Sequence, residues 1–234
     1  MDNKKYIVVG GSSGIGLDLT GKLLDAGHSV TVLSRREPEI ENPGKLNWIK
    51  FDVLEDDPDD LDLPEEIHGL AYCPGSINLR PFRGLKIEDF RDDYEINLIG
   101  AVRVLKASLK PLQATGSSSV VMFSTVAVGQ GMPFHASVAA AKGAVEGLVR
   151  SLAAELAPKV RVNAIAPSLT DTPMAEKLLN NDRKKEASSE RHPLKRVGET
   201  NDIASMASFL LSDDSGWVSG QVIGVDGGLS SLRV

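Results

Sequence analysis

The sequence predicts an α/β fold: a single domain with a doubly wound sheet of about seven parallel strands and helices on both faces. Three observations carry this. Short apolar, often β-branched runs alternate with segments of helical periodicity from one end of the 234-residue chain to the other. Polar, glycine and proline residues follow directly on the apolar runs, so the chemically useful groups collect beyond the carboxyl ends of the strands, where ligands sit in open α/β sheets. The length suits one domain that buries a full core without staples.

The elements follow in order. Tyr6–Val9 is the first strand and stops at Gly10. The turn Gly10–Gly16 opens a helix carried by Leu17, Leu19, Leu23 and Leu24. Ser29–Leu33 is the second strand and runs into Ser34-Arg35-Arg36. Trp48–Phe51 is the third, ahead of Asp52. The gap from Phe51 to Leu70 holds Pro58 and Pro64. It is too short and too broken for a full crossover helix, so one or two helical turns are expected near Leu63–Ile67. Gly69–Tyr72 is the fourth strand, ending in Cys73-Pro74-Gly75. Phe90, Ile96, Val102, Leu105 and Leu109 suit a long helix. Val120–Phe123 is the fifth strand and meets Ser124-Thr125. Val145, Leu148, Val149, Leu152 and Leu156 mark another helix, and Val160–Ile165 the sixth strand, which ends at Pro167. Residues 174–196 are polar and charged and read as a mobile lid over the active site. Ile203, Met206, Phe209 and Leu210 mark a last helix, and Val222–Val225 the seventh strand, closed by Asp226-Gly227-Gly228.

Composition narrows the function. With 41% hydrophobic residues and 22 glycines, about half the chain is apolar, as in ordinary globular proteins. One cysteine, Cys73, excludes a disulfide framework and a cysteine-rich zinc site, and no metal is expected. A lone thiol and the absence of a signal-peptide pattern point to the cytoplasm. No apolar run is long enough to span a membrane. The net charge of −6 is concentrated in Asp52–Glu66, which has nine carboxylates and no Lys or Arg and reads as a solvated loop. No basic stripe invites nucleic acid. The expected partner is a small-molecule substrate.

The turn Gly10-Gly11-Ser12-Ser13-Gly14-Ile15-Gly16 is the strongest local signal. It lies between a strand and a helix, where glycines let the backbone approach a pyrophosphate and the helix start offers free N–H groups. Past the second strand, where NAD-binding folds place a carboxylate for the ribose, stand Arg35 and Arg36. Cations there suit a 2′-phosphate, so NADP(H) is favoured over NAD(H).

Over nearly its whole length the chain resembles the short-chain dehydrogenases/reductases. The resemblance rests on Gly10, Gly14 and Gly16, on Asn97 within Glu95-Ile96-Asn97-Leu98-Ile99-Gly100, and on Ala141-Lys142-Gly143-Ala144-Val145. Arg161–Pro167 and Gly220–Gly228 extend it to the end of the chain. It implies a Rossmann-type domain and an NAD(P)(H)-dependent oxidoreductase that assembles as a dimer or tetramer. The seventh strand and the helix near Ile203–Leu211 would pack on the twin, with Trp217 and Val225 as interface or core residues. It implies cofactor contacts from Ser12, Ser13 and Ile15 in the turn, from Asp52 and Val53, from Cys73, Pro74 and Gly75, and from Pro167, Leu169 and Thr172. Ser168 stands at a place where the family usually has glycine.

The resemblance also exposes a gap. The family's tyrosine, four residues before the lysine, protonates the alkoxide that hydride transfer creates. Here Lys142 is present and the tyrosine position is Val138. Asn97 is kept, and the family's serine falls on Thr125, beside Ser124. His135, on a helix, would share a face with Val138 and Lys142 and is a candidate donor; the alternative is a hydrogen-bonded histidine at the helix start. Ser137 is a weaker candidate, and Lys142 itself, directly or through water, another. Two readings stay open. One is an NADPH-dependent reductase of an activated alkene or unusual carbonyl; the other is a catalytically silent NADP(H)-binding sensor or assembly protein.

Overall fold

The computed structural model describes residues 3–41 and 43–233. Seven parallel strands form one sheet: β1 (Lys5–Val9), β2 (Ser29–Ser34), β3 (Leu46–Lys50), β4 (Gly69–Tyr72), β5 (Ser118–Phe123), β6 (Val160–Pro167) and, after a two-strand excursion, β9 (Val222–Val225). Their order is β3-β2-β1-β4-β5-β6-β9. The winding direction reverses between β1 and β4, which creates the crevice where ligands of this Rossmann-type topology sit.

Within each strand neighbouring side chains enter opposite layers. Ile7 and Val9 join one buried cluster with Leu70, Val104, Val145 and Val149, whereas Tyr6 and Val8 join another with Leu19, Leu23, Ile203 and Leu210. This is why the strands read as unbroken apolar runs rather than alternating ones. The first layer is covered by α3 (Gly100–Ala114) and α5 (Ala136–Leu156), the second by α1 (Gly14–Asp25) and α8 (Thr200–Leu211). Truncating one of the fully buried residues, Leu70 for instance, should cost about 2–5 kcal/mol.

Several expectations are corrected. The helical turn in the Phe51–Leu70 gap lies at Pro58–Asp60, not at Leu63–Ile67. Asp57 accepts a hydrogen bond from the Asp59 N–H, and Pro58 pre-sets the first helical position, so the turn starts early. The long helix is not uniform: α2 (Ile87–Tyr94) passes through a π turn at Glu95–Ile99 into α3. The Tyr72 hydroxyl donates to the Ile96 carbonyl at 2.7 Å, and a Cβ on Gly100 would stand 2.5 Å from that hydroxyl. A side chain inserted into the helix ladder is a recognised cause of such a bulge. Trp217 is fully exposed and so is no core residue of this chain, while Val225 is half-buried against the second cluster.

Residues 174–196 carry two short helices, α6 (Glu176–Leu179) and α7 (Asp182–Ser189). A two-residue parallel ladder, β7 (Thr170–Asp171) with β8 (Gly198–Glu199), clips the segment at its base. A short helix, α4 (Val126–Gln130), follows β5.

Candidate active site

A groove of about 610 Å³ runs along the carboxyl ends of β1, β2, β4, β5 and β6. Its first wall is backbone. Gly10 and Gly14 have positive φ angles of 76° and 53°. A Cβ on Gly16 would lie 2.3 Å from the Gly10 carbonyl oxygen, so only glycine lets α1 start this close to β1. Ser13 caps α1 without a side-chain bond. Ser12, Ser13 and Ile15 line the groove together with the glycines. Gly10 meets Pro74 across the switch point, where its Cβ would come 3.2 Å from the proline ring.

The wall continues through Arg35, Arg36, Asp52 and Val53. The Arg35 side chain is 76% exposed and stands 4.0 Å from Asp52, so its guanidinium remains largely available to a ligand. Cys73, Pro74 and Gly75 form the floor. Burial pushes the half-buried Cys73 thiol up to about 12, which keeps it protonated and unreactive near neutrality. Pro167, Leu169 and Thr172 border the far side.

The second end of the groove is made of side chains. Lys142 is buried on α5 and donates to the Phe123 carbonyl at 2.8 Å. Burial pulls its ammonium down to about 8, with Cys73 and Asp93 pulling the other way. Val138, one turn earlier, lines the same groove and is also buried. Thr125 caps α4, its Oγ1 accepting from the Ala127 N–H at 3.3 Å, which leaves its hydroxyl hydrogen for a group in the groove. Ser124 differs from Thr125, since its hydroxyl donates to Glu146 Oε1 at 2.7 Å and its proton is committed. His135 lies ahead of α5 rather than on it, at φ −101° and ψ 12°, so it does not share the helix face with Val138 and Lys142. Its Nδ1 is 2.7 Å from the Pro133 carbonyl. That is the hydrogen-bonded histidine of a helix start, although the residue still borders the groove. Ser137 is fully buried and does not line it.

Asn97 stands behind the wall, at the π turn. Its Nδ2 donates to the Asp93 carbonyl at 2.7 Å and to Ser76 Oγ at 2.9 Å, and Ser76 in turn donates to Asp93 Oδ1 at 2.5 Å. Asn97 Oδ1 and Asp93 Oδ2 are buried with no partner among the described residues. A Cβ on Gly75 would sit 3.0 Å from Asn97 Oδ1 and 3.3 Å from Lys142 Nζ. The absent side chain leaves a small polar cradle between an acceptor and a cation.

Sequence reasoning did not pick out Asp93, Ser76, Glu146 or His192. His192 is 3% exposed, lines the groove from the 174–196 segment, and has Nε2 2.7 Å from Ser168 Oγ. Nothing local distinguishes these residues in a polar stretch; they matter because chain distant in sequence is folded against them. Among the described residues no group of three or more His, Cys, Asp or Glu is placed to hold a metal. No helix among them is long and apolar enough to cross a membrane.

The protein-family model described as enoyl-(acyl carrier protein) reductase matches residues 62–230. The chain is 32% identical over 250 residues to the 3-oxoacyl-(acyl-carrier-protein) reductase FabG of Thermotoga maritima, with 98% of each chain covered. The chain belongs to the short-chain dehydrogenase/reductase family, a family of oxidoreductases. Its fold agrees with this membership. A short-chain type dehydrogenase/reductase from Mycobacterium ulcerans superposes with a TM-score of 0.89 at 31% identity, covering 100% of this chain and 92% of that one. A Beutenbergia cavernae structure described as an NAD(P)-dependent gluconate 5-dehydrogenase, with NADP bound at low occupancy, gives a TM-score of 0.91 at 28% identity, covering 99% and 98%.

Proposed function

We propose that this short-chain dehydrogenase/reductase is an NADP(H)-dependent oxidoreductase that reduces an activated alkene or an unusual carbonyl. The cradle at Gly75 is the observation that carries the reading. A buried acceptor without a partner among the described residues, Asn97 Oδ1, and the Lys142 ammonium face a space that one methyl group would fill. That space suits one hydroxyl of a ribose or a bound water. The glycine turn and the start of α1 suit a pyrophosphate, and Arg35 with Arg36 suit a 2′-phosphate. Asp52, Val53, Cys73 and Pro74 border the adenosine side, and Pro167, Leu169 and Thr172 the nicotinamide side. Bound there, the nicotinamide supplies a hydride to the substrate.

The chain's own residues have three tasks. Lys142 grips the sugar and places a positive charge beside the reacting corner. Thr125 donates its free hydroxyl hydrogen toward the substrate oxygen. Ile77, Met132, Val138, Met174 and Leu178 line the groove with apolar surface, which fits an apolar flank on the substrate and keeps water out. A ketone reduced here without a phenol loses the usual contribution of a general acid, roughly 10²–10⁴-fold. Conjugate reduction places charge on an enolate oxygen instead, and hydrogen-bond donors serve that oxygen better than a missing acid would.

Val138 also favours a second reading, a catalytically silent NADP(H)-binding sensor or assembly protein. The working form is a cytoplasmic homo-oligomer, dimer or tetramer, with the exposed Trp217 and the partly exposed Phe209 of α8 at the contact. Fluorescence titration with NADPH and NADH, followed by a panel of enals, enoyl thioesters and ketones, tests the proposal. Tight NADPH binding with turnover of enals or enoyl thioesters supports it. Tight binding without turnover supports the silent protein, and no binding at millimolar NADPH ends both.

A further inference from the structure

The groove has no phenol, but it holds another hydroxyl already joined to a titratable partner. Ser168 Oγ lies 2.7 Å from Nε2 of His192, and His192 Nδ1 lies 2.8 Å from the Ser188 carbonyl oxygen. A carbonyl only accepts, so Nδ1 carries a hydrogen. In the neutral ring Nε2 is then the acceptor for the Ser168 hydroxyl. Both residues border the groove. The ring lies beside Gly227, where an added Cβ would stand 3.6 Å from His192 Cβ and Cδ2. In the ladder of β5 with β6, Phe123 is paired with Ile165. The ladder ends at that pair; beyond it Thr125 caps α4 and Ser168 follows β6, and both border the groove. Ser168 thus faces the same groove as the Thr125 hydroxyl.

Resting on the oxidoreductase reading above, we infer that Ser168 and His192 form the proton relay of this site, with Ser168 exchanging a proton with the substrate oxygen and His192 refilling it. In reduction the substrate carbon accepts a hydride from the reduced nicotinamide, and the π pair moves to oxygen. The oxygen forms an O–H bond as the Ser168 O–H bond breaks. Ser168 Oγ takes the Nε2 proton of the His192 imidazolium, which ends neutral. In oxidation the same transfers run backwards, and neutral His192 accepting from Ser168 is the form that starts them. Reduction therefore draws on the imidazolium and oxidation on the neutral ring. The charged groups near the ring are Asp226 on the turn after β9, whose carboxylate interacts with His192, and Arg191, which borders the same groove. Ser168 and Ser188 add no charge.

The test compares wild type, Ser168→Ala, His192→Gln, and Ser168→Ala combined with Val138→Tyr. NADPH affinity, melting temperature, turnover on the substrate panel against pH, and the ¹⁵N spectrum of His192 are measured. Glutamine keeps a hydrogen bond to Ser168 but does not titrate. Both single variants should hold NADPH within about threefold and lose roughly 10²-fold or more in kcat, the usual size of proton catalysis. His192→Gln should also flatten the pH dependence of kcat, and Val138→Tyr should restore turnover to Ser168→Ala. The spectrum should show neutral His192 protonated on Nδ1, with Nε2 shifting in Ser168→Ala. Wild-type turnover in Ser168→Ala, or a neutral ring protonated on Nε2, overturns the relay and leaves the oxidoreductase reading intact. If wild type binds NADPH and reduces nothing while Ser168→Ala combined with Val138→Tyr does, the relay is overturned and the nucleotide site stands. If NADPH does not bind at all, the oxidoreductase reading falls and takes the relay with it.

Discussion

At the glycine-turn end of the groove the wall is backbone from one contiguous stretch, Gly10–Gly16; at the Lys142 end it is side chains drawn from the ends of β5 and β6, from α5 and from the 174–196 segment. The backbone wall works by shape, so the residues that matter there are those that lack atoms. The side-chain wall works by donors, acceptors and charge, and its residues can be exchanged one at a time. This is how Val138 can stand where a phenol is expected while the sheet, the turn and Lys142 remain intact.

The largest effect should come from adding atoms to the backbone wall. Gly16→Val pushes a branched side chain against the Gly10 carbonyl, which a Cβ would already approach to 2.3 Å. NADPH affinity should fall by roughly 100-fold or more, with a lower melting temperature. An unchanged titration would break the contrast between the two ends. Next, Val138→Tyr placed in the Ser168→Ala background should raise ketone reduction by about 10²–10⁴-fold, measured as NADPH oxidation, because it supplies a general acid to a corner that has lost its relay.

The third prediction concerns the buried charge. Lys142 is pulled from an ordinary 10.5 to about 8. Below 8 the ammonium is charged in both folded and unfolded chains, and the folded one bears the burial penalty. Between 8 and 10.5 the folded chain has released the proton that the unfolded chain still holds, so stability from this group rises with pH, by about 3 kcal/mol across the window. Lys142→Met should therefore be more stable than wild type at pH 7, with the gap closing toward pH 10.5 in urea melts. Tyr6 and Tyr72, both pushed up by burial, cancel from the difference, and Cys73, pushed up by burial against the pull of Lys142, stays protonated in the folded chain across this window in both proteins. A gap that stays constant with pH would place the ammonium in water.

A smaller effect is expected from Arg35→Ala with Arg36→Ala. NADPH affinity should drop about 10–100-fold while NADH affinity barely moves, since charge-assisted bonds to a phosphate contribute about 1.5–3 kcal/mol. The smallest belongs to Ser13→Ala, whose side chain makes no cap bond. A change in NADPH affinity beyond about threefold would mean that side chains share the work of the backbone wall.

The two ends also differed in how well they could be read beforehand. Tyr6–Val9, Gly69–Tyr72 and Val222–Val225 are legible because a strand buried on both faces must be apolar at every position. Gly10, Gly14 and Gly16 are legible because the turn tolerates little else. His135 was misplaced because its spacing from Val138 and Lys142 presumes a helix that already includes residue 135, whereas α5 begins at Ala136. The turn at Pro58–Asp60 was misplaced because the capping Asp57 is one carboxylate among nine. The committed Ser124 hydroxyl was invisible because its partner, Glu146, lies 22 residues away on a helix face that only packing brings round.

What the amino-acid sequence determined alone is whatever rests on local geometry and periodicity: seven parallel strands, the glycine turn, the cation pair after β2 and the absence of tyrosine at 138. Only the tertiary structure decided which polar atoms meet: Asn97 with Ser76 and Asp93, Ser124 with Glu146, Ser168 with His192. A hydrogen bond needs two groups within about 3 Å, and for residues far apart along the chain that distance is set by the packing of whole elements, which no stretch of sequence states by itself.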